Sequence, residues 1–397
     1  MSDTLDNSMY TKRKSSGYAK QLLRDAFTNW GARIGFGWIL VLTIFAVFAP
    51  FIASSHPILV KQDGIITSPL LMHLNPSDVI LLTLFFSVAV LYFIKLDLFK
   101  KIGIFITILS SVSLLAFLFI TPPQLVVYEK YREAEREGKL EWVINAPIPY
   151  SPKDYLRDKG YTGLEAPLSI EERTHIFGTE QNGSDVLSRM LHASRIALGI
   201  GFVATGIAML IGVILGGLMG YFSGVVDMLG MRLVEIFEAI PTLFLLLTFV
   251  AFFGRSLYLM MVIIGITTWT GYARFVRAEF LRLRKMEFVQ AAIVSGLPVR
   301  SILFRHMLPN GIAPVLVAAS FGVASAILYE AILSFLGLGL IDNPSWGEML
   351  NQAVQAASFY WWMAFFPGGA IFITVFSYNL LGEALRDAID PYLKKNS

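Results

Sequence analysis

An all-α chain that crosses a membrane several times is what this sequence predicts, and three observations carry that expectation. Of its 397 residues 55% are hydrophobic, 31 of them Phe, and only 15% are charged, a balance outside the soluble range. The apolar residues gather into uncharged runs long enough to cross a bilayer. The positive groups sit in short intervals beside those runs, so a net charge of +3 speaks of topology and not of nucleic acid. Cysteine is absent, which excludes disulfides, thiolate metal sites and thiol nucleophiles.

Residues 1–30 read as a mobile cytoplasmic tail, basic at Lys12, Arg13 and Lys14, leading into an amphipathic segment. From Tyr18 to Trp30 the residues Tyr18, Leu22, Leu23, Ala26, Phe27 and Trp30 share one helical face and Lys20, Gln21, Arg24 and Asp25 the other, as in a helix lying on the membrane or packed on protein. Such a polar, basic start is unlike a cleaved signal peptide. The first transmembrane helix occupies 31–53 and ends at Pro50, before a polar external stretch holding His56, Lys61 and Asp63. The region 54–127 adds two apolar runs, Val79–Ile94 and Ile102–Val127. Between them Lys95, Lys100 and Lys101 form a basic turn that the positive-inside rule places in the cytoplasm.

Residues 128–192 carry charges of both signs and are expected outside. There Glu135 and Lys139 are spaced to pair at i, i+4. Asp185 is placed to cap a helix starting at Val186. His175, Glu180 and Asp185 could be imagined around a metal, but without any recognised ligand spacing. The core, 193–390, opens with Ile196–Val226, where Gly212, Gly216 and Gly220 recur every four residues. That is a doubled GxxxG face for close helix contact, within the chain or with another subunit. Asp227, Arg232, Glu235 and Glu238 open the next span, either as its interfacial start or as a lining of a transport path. Pro241 should kink it. The following span, Ser256–Ala273, runs into Arg274, Arg277, Arg282, Arg284 and Lys285, the strongest cytoplasmic signal in the chain. Gly311–Leu340 holds a lone Glu330, a group for a buried hydrogen bond or for substrate contact. Phe359–Gly382 follows, with Trp361 and Trp362 as interfacial anchors. The polar tail 391–397 leaves both termini inside, after six core spans and a hairpin, about eight crossings in all.

The polar loop 274–310 organises the rest. Its second half reads MEFVQAAIVSGLPVRSILFRHMLPN from Met286 to Asn310. A first short helix presents the small pair Ala291 and Ala292, Gly296 ends it in a left-handed turn, and Pro298 suits the first turn of a second helix. Pro309 should close that second helix. The stretch resembles the cytoplasmic loop of bacterial ABC importer permeases. That loop reads Glu-Ala-Ala, three residues, Gly, nine residues, Ile, one residue, Leu-Pro. Ala291, Ala292, Gly296, Leu308 and Pro309 match, while Gln290 and His306 replace the glutamate and the isoleucine. The wording is most similar to the dipeptide, oligopeptide and nickel branch, and to its second, C-type permease. HIFGTEQNGSDVLSR before the first core glycines and YEAILSFLGLGLIDNPSWGEML after Glu330 resemble the same branch. Glu180 and Ser184 depart from its usual aspartate and arginine. So does the hairpin in 54–127, which members of this branch usually lack.

The resemblance implies a type I ABC importer permease fold in the bacterial inner membrane, working with two ATPase subunits, a second homologous permease and an external substrate-binding protein. Peptides are the leading substrates; nickel chelates and oligosaccharides are alternatives. It also implies that the chain itself holds no cofactor, ATP and Mg belonging to the ATPases. The ATPase contact would then fall on Glu287, Phe288, Val289, Gln290, Ala291, Ala292, Ser295, Gly296, Leu297, Pro298, Arg300, Leu308 and Pro309. The translocation path would draw on Glu235, Glu238, Pro241 and Glu330. The charged stretch 129–142 is either a solvated helix or a docking surface for the binding protein. No phosphate loop, GxSxG elbow or HExxH helix is present in the sequence. Two rivals of other classes remain. A self-sufficient secondary transporter usually shows repeated halves, and none is seen here. An intramembrane enzyme would need Glu235, Glu238 or Glu330 for its chemistry.

Overall fold

The computed structural model describes residues 24–123, 126–156, 163–170, 174–340 and 343–389. The N-terminal tail, the first six residues of the amphipathic segment Tyr18–Trp30 and the C-terminal tail lie outside the described residues. Helix α1 (Trp30–Ile52) starts where the Asn29 side chain accepts from Gly31 N–H, and it carries Pro50 through to Ala53 instead of ending there. Beyond it come β1 (Leu59–Gln62), β2 (Ile65–Thr67), a short α2 (Pro69–Met72), the hairpin α3 (Pro76–Phe93) and α4 (Leu98–Phe119), α5 (Lys130–Arg136) and β3 (Trp142–Ile144). The core is α6 (Val186–Phe222), α7 (Gly224–Ala239), α8 (Thr242–Phe253), α9 (Leu257–Leu283), α10 (Glu287–Val294), a long α11 (Val299–Leu338), α12 (Trp346–Gln355) and α13 (Trp361–Ile389). Among the described residues seven helices are long and apolar enough to cross a membrane, and α7 with α8 makes an eighth if that pair, bent by 80°, counts as one span. The expected polytopic, all-α architecture is therefore the observed one.

The core is built on the glycine face. A Cβ on Gly216 would collide with Ala273 O, one on Gly212 with Tyr272 Cβ, and one on Gly220 would lie 2.5 Å from Phe280 Cβ. The partner of the GxxxG face is thus α9 of the same chain. Asp185 accepts from Ser188 N–H at 2.7 Å and caps α6 as its position suggests. The N-terminal part of α1 lies against α13, with Gly35 on the Ser377 backbone. The break between α7 and α8 falls at Ile240–Pro241, where the proline removes a backbone donor.

Three expectations fail locally. Pro309 does not close a helix, because residues Ile302–Met307 form a π turn in which Leu308 N–H reaches Leu303 O, five residues back. That wider turn carries the chain past the proline into α11. Trp362 is no interfacial anchor: it is buried, and its Nε1–H donates to Thr179 O at 3.0 Å, while Trp361 stays exposed. Lys139 pairs with Glu137 at 2.5 Å, since the helix ends at Arg136 and the i, i+4 geometry with Glu135 is never formed.

The polar region between α1 and α6 holds an unforeseen antiparallel sheet of order β2-β1-β3, with Val60 opposite Thr67 and Val143. Its hairpin turns at Asp63 and Gly64, both with positive φ, an Asp-Gly signal readable in the sequence. Beside it, buried His56 stacks on His73 at 3.7 Å between ring centroids. Burial, and next the His73 ring, pull the pKa of His56 down from 6.5 to about 4, against the opposing pull of Asp154. The folded state therefore binds this proton less readily than the unfolded one. The stability it contributes is whole above pH 6.5 and is lost as pH falls toward 4. Protection against amide exchange in residues 54–75 should fall across that window in the wild type and not in His56→Gln. Equal protection at pH 4.5 and 7.5 would contradict this.

Candidate functional site

The loop between α9 and α11 forms one end of the bundle. Met286, extended, leads into α10. Val289, Ala292, Ile302 and Met307 are buried in one cluster with Val276, Phe280 and Leu283 of α9. Gln290 Nε2 donates to Arg284 O at 2.7 Å and Ser295 Oγ to Ala291 O at 2.8 Å. Gly296 has φ +69°, the left-handed residue that ends α10, its N–H on Ile293 O and that of Leu297 on Ala292 O. Pro298 is the N-cap of α11 and not a first-turn residue.

Bolted down from inside, the loop turns an apolar face outward. Phe288, Val294, Leu297, Val299 and Phe304 are exposed, Val294 at 86%. Glu287, Gln290, Ala291, Ser295, Gly296, Pro298, Arg300 and Pro309 are exposed around them, and Leu308 is half-buried. Sequence reasoning had both alanines facing a partner. Ala291 is exposed, but Ala292 and Val289 belong to the chain's own core. Adjacent helical positions lie about 100° apart, so Ala292 falls on the core stripe while Ala291 falls outside it.

The residues suggested for a transport path do not form one cluster. Glu235 accepts from Arg232 at 2.6 Å on the exposed side of α7, Glu238 pairs with Arg274 of α9, and Pro241 marks the break. Glu330 is buried near the other end of α11 and accepts from Ser334 Oγ at 2.6 Å.

At that opposite end lies a buried polar network that sequence reasoning missed. Arg189, in the first turn of α6, reaches Glu180 at 3.2 Å and also Glu348 of α12. Burial, and next the Glu348 carboxylate, push Glu180 up to about 6 despite the arginine, and burial likewise raises Glu348. His175 Nδ1 lies 2.9 Å from Asp185 Oδ2 and its Nε2 3.6 Å from Glu165. Glu180 thus turns to Arg189 and not to His175. Among the described residues no three His, Asp or Glu side chains are grouped to hold a metal ion. The available signal was an arginine at the mouth of an apolar run, since such a charge needs a partner.

The family of binding-protein-dependent transport system inner membrane components matches residues 212–395, and the N-terminal TM domain of oligopeptide transport permease C matches 17–72. The chain is 41% identical over 221 residues to the oligopeptide transport system permease protein OppC of Haemophilus influenzae, covering 55% of this chain and 71% of that one. It is 38% identical over 247 residues to OppC of Bacillus subtilis, covering 62% and 81%. A solved inward-facing structure of the MetNI methionine ABC transporter aligns with TM-score 0.42 at 18% identity, over 51% of this chain and 98% of that one, a likeness too slight to argue from. On the strength of the sequence relatives, this chain belongs to the family of binding-protein-dependent transport system inner membrane components, as a multi-span permease and not an enzyme.

Proposed function

We propose that this chain is a permease subunit of an ATP-driven peptide importer, and that the loop around Gly296 is where a separate ATPase docks. The observation that carries the docking is the outward apolar face of α10 and the start of α11, held rigid by its own buried side. Exposed apolar groups clustered at the tip of an ordered loop are what a protein partner covers. Arg274, Arg277, Arg282, Arg284 and Lys285 border that loop, which supports a cytoplasmic loop with both termini on the same side and the β-sheet outside. Peptides are inferred from the transport named for the relatives. The partners on this reading are two ATPase subunits, which hold ATP and Mg, a second homologous permease and an external binding protein. Closure of the ATPases moves the loop and tilts the spans to exchange access. Of the path residues, Pro241 and Glu238 keep a place beside the moving helices, Glu235 is a surface group, and Glu330 acts through its hydrogen bond to Ser334.

A mild-detergent pull-down of the tagged chain from its own membrane tests this. Wild type should retain a P-loop ATPase and a second permease. Val294→Glu with Phe288→Glu should lose the ATPase by at least about tenfold, as expected for central interface residues, yet keep the permease. Gly296→Asn, tolerated at positive φ, should keep both, whereas Gly296→Val should not. Recovery of the chain alone, under conditions that hold other membrane complexes together, would overturn the proposal.

A further inference from the structure

We propose that α7 is the arm that carries movement of the cytoplasmic loop into the membrane, with Ser223, Asp227 and Glu238 as the positioning residues that fasten it. This rests on the loop being the ATPase dock. Gln290 of α10 holds the Arg284 backbone, and the Arg284 side chain crosses to the α6–α7 corner. There its Nη1 donates to Ser223 Oγ at 2.7 Å and its guanidinium sits 5.9 Å from the centre of the Tyr221 ring. About two helical turns earlier, on α9, Arg277 grips Asp227 with two donors, one at 2.6 Å, and about three turns earlier Arg274 pairs with Glu238 near the far end of α7. Phe237 meets Trp269 edge-on at 5.5 Å. Val234 is fully buried, and Gly230 has no room for a Cβ against Met219.

The corner itself is unusual. Ser223 and Gly224 both have positive φ, +53° and +58°. For the serine this is a strained conformation, and the Arg284 side chain holds its hydroxyl. At its other end α7 meets Pro241 and an 80° bend, where the proline cannot continue the helical hydrogen bonds. So α7 is tied to α9 from end to end and jointed only where α8 begins. Arginines serving topology alone would need no acidic partner; here Arg274 and Arg277 each have a chosen one. A displacement of α10 that shifts the end of α9 must take α7 with it and is delivered at the Pro241 joint.

The test uses the complete complex in proteoliposomes, scoring ATP hydrolysis, uptake of a labelled peptide and subunit composition on the same vesicles. In Asp227→Asn with Glu238→Gln, composition and hydrolysis should stay within about twofold of wild type while uptake per ATP falls about tenfold, within the range for residues of a coupling network. The reciprocal pair Asp227→Arg with Arg277→Asp should return most of the uptake. Because the chain has no cysteine, Asp227→Cys with Arg277→Cys gives a clean cross-link. Uptake should be impaired in the reduced pair, which lacks the ion pair, and oxidation should restore it if the two helices travel together. Normal uptake per ATP in the neutralised variant, loss of assembly without reciprocal rescue, or no restoration by the cross-link would each overturn the arm. A wild-type chain that recruits no ATPase would overturn instead the docking on which it rests.

Discussion

Gly216→Ala is expected to prevent the chain from accumulating as a folded, monodisperse species. The added methyl group is the smallest possible change, yet it would overlap the Ala273 carbonyl oxygen and stand 3.0 Å from Ala273 Cα and Val276 Cβ. Two of those neighbours are backbone, so no rotamer change clears them. The helices must separate, and the contacts at Gly212 and Gly220 are lost with them. Overpacking typically costs about 1–3 kcal/mol; three coupled backbone approaches along one seam put this case at or above the upper end. Gly206→Ala on the same helix has nothing within 4 Å and should be neutral or stabilising by up to about 1 kcal/mol. Size-exclusion profiles and thermal midpoints in detergent decide it. A Gly216→Ala protein that melts with Gly206→Ala would mean that α6 and α9 are not packed as described.

The second large effect is at Arg189. Arg189→Ala leaves buried Glu180 and half-buried Glu348 around a vacated guanidinium site, and stranding a buried charge costs about 3–5 kcal/mol. Adding Glu180→Gln and Glu348→Gln should return much of that loss, since the penalty lies in the unpaired carboxylates. The wild type carries a pH signature of the same network. Glu180 has its pKa raised to about 6 from 4.5, so the folded state binds this proton more tightly than the unfolded chain. The native state is relatively favoured below pH 4.5 and loses that advantage as pH rises through 6, by about 2 kcal/mol at 1.4 kcal/mol per unit. Measured against Glu180→Gln, the thermal midpoint of the wild type should decline over that interval. A difference that stays flat from pH 4.5 to 7 would refute the assignment.

The spans were legible because a bilayer imposes one condition on every helix that crosses it, and Ile34–Ala53 meets it without a charge while Gly311–Leu340 carries only Glu330. Gly296 was legible because the left-handed turn is a local demand. Partners distant in the chain were not. Arg189 and Glu348 are separated by 159 positions, and nothing near either names the other. Trp362 looked like an anchor because a tryptophan at a span's end usually is one; only the fold brings Thr179 beneath it. Pro309 was misjudged since a rule based on i, i+4 bonding does not cover a chain that slips to i, i+5. The sheet escaped notice because its strands have three or four residues, although Asp63-Gly64 marked the hairpin.

The π turn at Ile302–Met307 gives α11 a phase as well as a length. Each such turn takes up one residue more than an α turn, and one residue is about 100° of rotation. The side that α11 shows its neighbours, with Val315, Val323 and Ile327 inward, is therefore dialled by the wide turn before Pro309. Removing a single residue there would leave composition and hydropathy nearly untouched and still swing the whole span by more than a quarter revolution.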